Sequence, residues 1–317
     1  MNKTKNTDHT GIVIQSTGSW YIVRNPQGEL ISCRIKGKFK IAGIKSTNPI
    51  AVGDKVSFVR MKDEDTAVID TIEPRHNYII RKSINLSKQT HIIAANIDHA
   101  FLVITISQPR TSLGFIDRFL LTTEAYHIPV VLVFNKTDLN TPEEQEIQEQ
   151  WIEKYRQIAY QSIQTSALTG QGLEELKTLM KSGTNMFSGH SGVGKSALIN
   201  TLQPGLKIKT AHISSFNLKG RHTTTFAQMH PLDFGGYIID TPGIKEFGLV
   251  DFKKEDVSGY FPEMRALLNQ CKYNNCLHVN EPKCAVKQAV LDGKIAESRY
   301  NNYLAIINDE NYNKKPF

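Results

Sequence analysis

The chain has 317 residues, of which 40% are hydrophobic and 22% charged, a composition typical of globular rather than disordered or fibrous proteins. This length suits two or three domains, each with its own core. No apolar run reaches membrane-spanning length, and the polar N-terminus lacks the hydrophobic segment of a secretion signal. We therefore expect a cytoplasmic protein that does not bind membranes. Structural disulfides between its four cysteines are not expected in a reducing compartment.

The formal net charge is +7. Such a charge suits ordinary solubility, and it equally suits a polyanionic partner, because clustered Lys and Arg gain affinity by releasing counterions from phosphates. Charge alone leaves both interpretations open.

The N-terminal part of the chain has five short runs of β-branched and aromatic residues. They are GIVIQ (11–15), SWYIVR (19–24), ELISCRI (29–35), DKVSFVR (54–60) and TAVIDTI (66–72). Five strands in this length predict a small barrel such as the OB fold within residues 1–75, and a small sandwich or another small barrel stays open. The polar and basic segment 76–90 predicts a linker.

From residue 91 the pattern changes to strands that alternate with helices. HAFLVITI (99–106) and VVLVFNK (130–136) read as buried parallel strands, and segments 112–126 and 143–158 read as helices. This predicts an α/β domain over residues 91–250, with its ligand at the carboxyl ends of the strands. Residues 251–317 read as a mostly helical domain that contains a Cys/His cluster.

A phosphate-binding loop is predicted after the short strand TNMFS, because GHSGVGKS matches G-x-x-x-x-G-K-[ST] in full. Its residues are Gly189, His190, Ser191, Gly192, Val193, Gly194, Lys195 and Ser196. The glycines allow backbone N–H groups to surround the β-phosphate, Lys195 neutralises phosphate charge, and Ser196 can bind Mg²⁺. A chance glycine-rich turn is the alternative, which the following helix ALINTL disfavours.

A guanine-specific loop is predicted where the strand VVLVF ends, at Asn135, Lys136, Thr137 and Asp138. Asp138 can accept hydrogen bonds from the N1 and N2 donors of guanine, which adenine does not offer in that arrangement. Asn135 can connect this loop to the phosphate loop. Ser166 and Ala167, within TSAL, resemble the second guanine loop of GTPases. A surface turn is the alternative for NKTD.

Two switch segments are predicted downstream. Asp240 and Gly243, in DTPG after the strand YIID, suit the Mg²⁺ shell and the γ-phosphate, and Thr224 in GRHTTT suits Mg²⁺. Ile244 follows DTPG and cannot orient water. His222 is therefore the candidate catalytic residue that positions the attacking water. A plain polar loop is the alternative for GRHTTT.

The motifs occur in an unusual order. NKTD and SAL precede the phosphate loop and both switches, whereas an ordinary GTPase begins with the phosphate loop. This order predicts a circularly permuted P-loop GTPase domain, in which the second switch leads directly into the segment after residue 250.

The Cys/His cluster has the spacing C-x4-C-x-H-x5-C and consists of Cys271, Cys276, His278 and Cys284. Three thiolates and one imidazole suit a closed, structural Zn²⁺ site. Buried free thiols with an unrelated histidine are the alternative. Cys33 lies in a strand pattern and is expected in a core.

Over nearly its whole length the chain resembles the RsgA family of small-subunit-dependent GTPases. The resemblance rests on VGDKV, AANID, GFIDRFL, NKTDL, SGHSGVGKS, GRHTTT, DTPGIKEFGL and the Cys/His cluster. It implies an N-terminal OB fold, a permuted GTPase centre, a C-terminal zinc domain, and GTP hydrolysis stimulated by the small ribosomal subunit late in its maturation. By motif match it assigns GTP to residues Ser188 to Ser196 and Asn135 to Asp138, catalysis to His222 and zinc to the cluster.

The expected partners are GTP, GDP, and the small ribosomal subunit with its rRNA; DNA is not expected, and a monomer is the default. The barrel, the zinc domain and two groups of cations suit RNA. The groups are Arg75, Arg81, Lys82 and Lys88 near the linker, and Lys207, Lys209, Lys219 and Arg221 near the first switch. The alternatives are a GTP-gated RNA-binding module with incidental hydrolysis and an ATP-dependent kinase, which NKTD disfavours.

Overall fold

The computed structural model describes residues 9–35, 49–61, 64–82, 90–206, 227–240 and 253–308. In chain order the strands are β1 (His9–Ser16), β2 (Tyr21–Arg24), β3 (Leu30–Ile35), β4 (Lys55–Arg60), β5 (Thr66–Ile72), β6 (Tyr78–Lys82), β7 (Thr90–Ala95), β8 (His99–Ile104), β9 (Val130–Asn135), β10 (Gln161–Thr165), β11 (Thr184–Ser188), β12 (Gln228–Pro231) and β13 (Tyr237–Asp240). The α-helices are α1 (Leu113–Ala125), α2 (Pro142–Arg156), α3 (Leu173–Met180), α4 (Lys195–Leu202), α5 (Pro262–Arg265), α6 (Ala285–Leu291) and α7 (Glu297–Asn308).

The chain divides into two compact units, and each is built from several stretches of sequence. The first contains Met1–Asp98, Leu179–Met186 and Lys209–Ile244, and the second contains His99–Thr178, Phe187–Ile208 and Lys245–Phe317. Among the residues that the structure describes, no helix combines the length and apolar character needed to cross a membrane.

The first unit contains a closed barrel of strands β1 to β5. The strand order is β1-β2-β3-β5-β4, and β4 pairs back with β1, so the sheet has no free edge. Alternate side chains point inward and form one apolar core, which consists of Val13, Tyr21, Val23, Ile31, Cys33, Ile50, Val56, Phe58, Ala67 and Ile69. The predicted OB-type barrel is confirmed, the sandwich is excluded by closure, and Cys33 is a core residue as expected.

The segment predicted as a linker contains β6 and the first residue of β7, which pair antiparallel. Next to this hairpin, Asn77 and Ile97 exchange two hydrogen bonds of 2.8 Å. At Gly53, with φ of +91°, an added Cβ would lie 2.0 Å from the carbonyl oxygen of Ala95. The hairpin is therefore in close backbone contact with the barrel region rather than extended as a linker.

Arg75 was expected among the RNA-binding cations, and that expectation is wrong. Its guanidinium donates two 2.6 Å hydrogen bonds to Asp54 and one of 2.7 Å to the carbonyl of Pro49. The side chains of Arg75 and Asp54 are 7% and 0% exposed. A buried cation must be paired, and here pairing within the fold removes the guanidinium from any RNA surface.

The rest of the first unit contains β12 and β13. Strand β13 pairs in parallel with Thr184–Met186 of β11 and antiparallel with β12. Strand β12 pairs in turn with β1 through Gln228 and Gln15. Asp240, a predicted Mg²⁺-shell residue, is the last residue of β13.

The second unit contains a parallel sheet in which β9 lies between β8 and β10. Every residue of β9 is buried, as expected for a strand with both faces covered. The predicted helices 112–126 and 143–158 are confirmed as α1 and α2. Ser112 caps α1, and Thr141 and Glu144 form a capping box at the start of α2.

The last part of the second unit consists of short helices. A 3₁₀ segment (Lys254–Tyr260) is followed by α5, α6 and α7, and α7 matches the helix predicted at 297–308. Their apolar core includes Phe261, Met264 and Tyr303, and it also takes in Leu121 from α1. Helix α1 is thus shared between the parallel sheet and the C-terminal helices.

Candidate nucleotide-binding site and metal cluster

The predicted phosphate loop lies between the end of β11 at Ser188 and the start of α4 at Lys195. Its three glycines have positive φ angles, of 136° at Gly189, 87° at Gly192 and 96° at Gly194. A Cβ on Gly189 would lie 2.4 Å from the carbonyl oxygen of Val103. Glycine is required where the backbone is left-handed and this close to a neighbour. The Lys195 ammonium donates to the carbonyls of Gly189 (2.7 Å) and His190 (2.6 Å), so it lies in the curve of the loop.

Asn135 connects three loops at the carboxyl edge of the parallel sheet. Its Nδ2 donates to the carbonyl of Val193 in the phosphate loop at 2.8 Å, and its Oδ1 accepts from Thr165 Oγ1 at 3.1 Å. A Cβ on Gly194 would lie 2.4 Å from the same Nδ2. The hydrogen bond from Asn135 to the phosphate loop, expected from the sequence, is present. Because the amide is only 2% exposed, its bonds compete little with water.

The rest of NKTD forms a tight turn after β9. Lys136 has a φ of 62°, and its ammonium donates to the carbonyl of Gln108 at 2.7 Å. The Thr137 hydroxyl donates to the carbonyl of Thr165 (3.2 Å) and to Gln171 Oε1 (2.9 Å). Asp138 is exposed to solvent. Its carboxylate therefore lies at the surface of the turn, where a ligand can reach it.

The SAL loop is held closed by its first residue. Ser166 is fully buried, and its hydroxyl accepts hydrogen bonds from the backbone N–H groups of Leu168 (3.2 Å) and Thr169 (3.1 Å). The Ser166 N–H donates to the carbonyl of Gln171 at 3.1 Å. Leu168, in contrast, is 83% exposed. The loop is a compact turn beside NKTD, which is the position that a second base-reading loop needs.

Sequence reasoning missed a further loop at this edge, residues 105–111. It supplies the Gln108 carbonyl to Lys136, and its Pro109 Cδ lies 3.4 Å from the Cβ position of Gly192. Thr105 holds the loop by donating to the Pro109 carbonyl at 2.5 Å. The available signal was positional: this polar loop follows the buried strand β8 just as NKTD follows β9.

Phe115 was also missed. It lies in the first turn of α1, and its ring stacks on that of His190 in the phosphate loop, with centroids 3.9 Å apart. Burial and, secondly, the charge of Lys195 lower the pKa of His190, which favours its neutral imidazole. Nothing in the sequence marks the two residues as partners, because they are distant in the chain and lie in different elements.

Several predicted residues of the nucleotide site lie outside the described part of the chain. They are His222, Thr224 and Gly243, together with Ile244 and the cations Lys207, Lys209, Lys219 and Arg221. Of Asp240 the structure describes the backbone only. The site described here therefore consists of the phosphate loop, NKTD, SAL and the loop 105–111.

The four residues of the Cys/His cluster are brought together, with all their ligand atoms within 4.8 Å of one another. His278 Nδ1 lies 3.3 Å from Cys284 Sγ and 3.7 Å from Cys271 Sγ. Burial raises the pKa of Cys276 to about 12 and lowers that of His278. Since burial favours the neutral groups, a cation among them is what would stabilise the thiolates.

Groups around the cluster hold its ligands in place. The Cys284 sulfur accepts from the backbone N–H of Lys287 at 3.4 Å, a contact that suits a thiolate. Glu281 accepts from three backbone N–H groups of the ligand loop, and Tyr300 donates to the carbonyl of His278 at 2.6 Å. His278 itself has a φ of 59°. Ligands oriented in this way fit a bound metal ion.

Known proteins match this chain over its whole described fold. The family model described as RsgA GTPase matches residues 72–250, and the RsgA N-terminal domain model matches residues 10–69. A Flavobacterium psychrophilum protein named small ribosomal subunit biogenesis GTPase RsgA is 56% identical over 96% of the chain and 94% of its own length. A Bacteroides fragilis protein of the same name is 51% identical over 96% of the chain and 98% of its own length.

Two solved structures are similar as well. YjeQ from Thermotoga maritima has a TM-score of 0.77 and 37% identity, covering 94% of this chain and 97% of that one. YloQ, described as a circularly permuted GTPase, has a TM-score of 0.76 and 28% identity, covering 100% of this chain and 99% of that one. Together with the permuted motifs, the closed barrel and the Cys/His cluster, these matches show that the chain belongs to the RsgA GTPase family.

Proposed function

We propose that this protein binds the small ribosomal subunit through its rRNA and hydrolyses GTP when the subunit stimulates it, late in subunit maturation. The observation that carries the proposal is the Asn135 amide, which joins the phosphate loop, NKTD and the SAL loop in one hydrogen-bonded group. The curated relatives that match 96% of the chain are named for small-subunit biogenesis. We place the activity in the cytoplasm and assign it to the monomer.

In the proposed site, the Asp138 carboxylate accepts hydrogen bonds from the N1 and N2 groups of guanine. Its exposed position on the NKTD turn supports this role. Adenine would leave the carboxylate without these donors, and an unpaired polar group in a ligand pocket is costly. The Lys136 stem, held by the Gln108 carbonyl, covers one face of the base, while Ser166 and Ala167 shape the opposite loop.

The phosphates bind across the amino end of α4, where backbone N–H groups favour anions. Lys195 exchanges its bonds to the Gly189 and His190 carbonyls for phosphate oxygens. Ser196, Thr224 and Asp240 would hold Mg²⁺, which supplies charge neutralisation between the β- and γ-phosphates. In other GTPases a glutamine orients the attacking water; this chain has Ile244 at that position, and His222 takes over the role. The backbone N–H of Gly243 donates to the γ-phosphate.

The Cys/His cluster would hold one zinc ion with a structural role. Three thiolates and one imidazole from the protein would supply all four ligands of a structural zinc ion, which would leave no position for a substrate. The burial of Cys284 and His278 supports a closed site.

The barrel offers a contact for single-stranded rRNA at Trp20. This side chain is 42% exposed and lies in the turn closed by the hydrogen bond from Thr17 N to the Trp20 carbonyl. Exposed aromatic rings stack on unpaired bases, worth about 1–3 kcal/mol per base. Replacing Trp20 with Ala should weaken subunit binding, with Trp20→Phe as the control that keeps a ring.

The decisive experiment measures GTP turnover with and without small ribosomal subunits, with large subunits as the control. Stimulation by small subunits alone supports the proposal. Turnover that neither subunit changes, in protein that still binds GDP, would contradict it. In the same assay, loss of stimulated turnover in His222→Ala supports its catalytic role, whereas normal turnover would exclude that role.

Base selectivity tests the nucleotide site directly. In Asp138→Asn the carboxamide can donate to a carbonyl, so affinity should shift from GDP towards XDP, which has a C2 carbonyl. We expect a loss of GDP affinity of about 100-fold or more, since sites built on such polar pairs discriminate strongly. Titration with fluorescent GDP and XDP measures the shift. Glu143→Gln, an exposed acid at the start of α2, is the matched control and should change neither affinity.

A further inference from the structure

Helix α1 contacts the phosphate loop at its first turn. The Phe115 ring stacks on His190 with centroids 3.9 Å apart and an interplanar angle of 30°. His190 also supplies one of the two carbonyls that bind the Lys195 ammonium. The position of Phe115 therefore bears on the part of the loop where Lys195 and the phosphates meet.

Two residues further along α1, Asp117 is the centre of a buried charged group. Its Oδ1 accepts from Arg299 Nη1 of α7 at 2.7 Å and from the Tyr155 hydroxyl at 2.8 Å, and its Oδ2 accepts from Asn302 Nδ2 at 2.5 Å. Arg299 also forms a fork with Glu263 of α5, at 2.7 and 3.0 Å. Side-chain exposures of 2% for Arg299 and 1% for Asp117 show that this group is closed to water.

A buried charge that loses its partner is left uncompensated, which is strongly destabilising. The members of this group are therefore held close to the positions in which they pair. The Arg299 guanidinium is further confined by the Phe261 ring, 4.6 Å away. The group therefore fixes α1 against α5 and α7 more rigidly than apolar packing at Leu121 would alone.

The same helix α7 holds the ligand loop of the Cys/His cluster. Next to Arg299 in the chain, Tyr300 donates its hydroxyl proton to the carbonyl of His278 at 2.6 Å. One turn on, Tyr303 donates to the carbonyl of Leu277 at 2.7 Å. Helix α7 thus contacts the cluster loop through its tyrosines and α1 through Arg299 and Asn302.

We propose that α1 and α7 form a rigid connection through which the metal-bound Cys/His cluster positions the phosphate loop, with Phe115 and Arg299 as positioning residues for nucleotide binding. The inference rests on the proposed nucleotide site and adds to it the helices that hold the phosphate loop in place.

The first measurement is the Kd of full-length protein for a fluorescent GDP analogue. Phe115→Leu, Asp117→Asn and Arg299→Met should each weaken GDP binding about fivefold or more, the usual lower range for coupled sites. Phe115→Tyr keeps an aromatic ring at this position and should bind GDP as the wild type does. Arg75→Met is the matched control, because it breaks an equally buried Arg–Asp pair in the other unit and should leave the Kd unchanged.

The second measurement uses reciprocity, because coupling between two bound ligands must be equal in both directions. Zinc is removed with phenanthroline, a chelator that leaves Mg²⁺ in place. At equilibrium GDP should raise the zinc affinity of the protein by the same factor by which zinc raises its GDP affinity. Both effects should disappear in Asp117→Asn.

The inference would be overturned if Phe115→Leu and Asp117→Asn left the GDP affinity unchanged and GDP did not protect the zinc. In that case Lys195→Ala should still abolish GDP binding, because the nucleotide site itself would be intact. If Lys195→Ala and Asp138→Asn also bind GDP normally, the nucleotide site itself is wrongly assigned, and the inference fails with it. The two failures are therefore distinguishable.

Discussion

The barrel of β1 to β5 and the C-terminal region 253–308 have comparable sizes but are stabilised differently. The barrel has a closed hydrogen-bonded ladder and an apolar core to which ten buried side chains of its described residues contribute. Besides the three turns of α7, the C-terminal region has the four-residue helix α5, two 3₁₀ segments and the seven-residue helix α6. Its interior contains a four-ligand cluster and the charged group around Arg299.

The difference shows that a region with little regular secondary structure can be stabilised by cross-links between its side chains instead. In the barrel, closure satisfies every strand edge, so packing suffices. Helices of one or two turns are marginal without tertiary support. A small region made of them needs a metal or other cross-link, and the C-terminal region has both a metal-ligand set and a buried ion network.

The largest effect should follow loss of Cys284, one of the four proposed zinc ligands. Structural zinc sites supply about 10 kcal/mol or more of folding free energy, so Cys284→Ser should unfold much of region 253–308. Hydrogen exchange followed by mass spectrometry should show lost protection there and retained protection in β1 to β5. Equal protection in the variant and the wild-type C-terminal region would show that the metal is dispensable.

Two buried phenylalanines give a matched pair of smaller changes. Phe58 in the barrel and Phe261 in the C-terminal region are 1% and 0% exposed, and either Phe→Ala change should cost about 3–5 kcal/mol. Phe261 also lies against the Arg299 guanidinium, so Phe261→Ala should cost more and should make zinc easier to extract. Urea unfolding of each region checks the order. A larger cost at Phe58 would mean that the charged group adds little.

The smallest effect is expected at Cys33, which lies in the barrel core. Cys33→Ala removes one sulfur atom and should cost about 1 kcal/mol, in line with small core deletions. Burial raises the pKa of the wild-type thiol to about 12, so it should resist iodoacetamide at pH 8 while the barrel is folded. Mass spectrometry after phenanthroline treatment should find label on the three cluster cysteines and none on Cys33. Rapid labelling of Cys33 would contradict a closed barrel.

Much of the fold was predictable from local patterns. The alternation in segments such as TAVIDTI and the buried run VVLVF indicated strands at the positions where β5 and β9 are found. Cap signals did the same for α2, where Thr141 precedes Pro142 and Glu144. The charges of segment 76–90 predict a linker and conceal β6, because β6 is defined by its pairing with β7 rather than by its own residues.

For the site, the sequence by itself determined the chemistry: a phosphate loop, a guanine-type NKTD, a set of three thiols with one imidazole, and their permuted order. These depend on residue type and short spacing, which the chain carries locally. Only the tertiary structure decided which distant groups meet. It paired Arg75 with Asp54 instead of RNA, stacked Phe115 on His190, and buried Arg299 between two carboxylates. Packing and burial decide which residues far apart in the chain become partners, and no single segment of the sequence determines either of them.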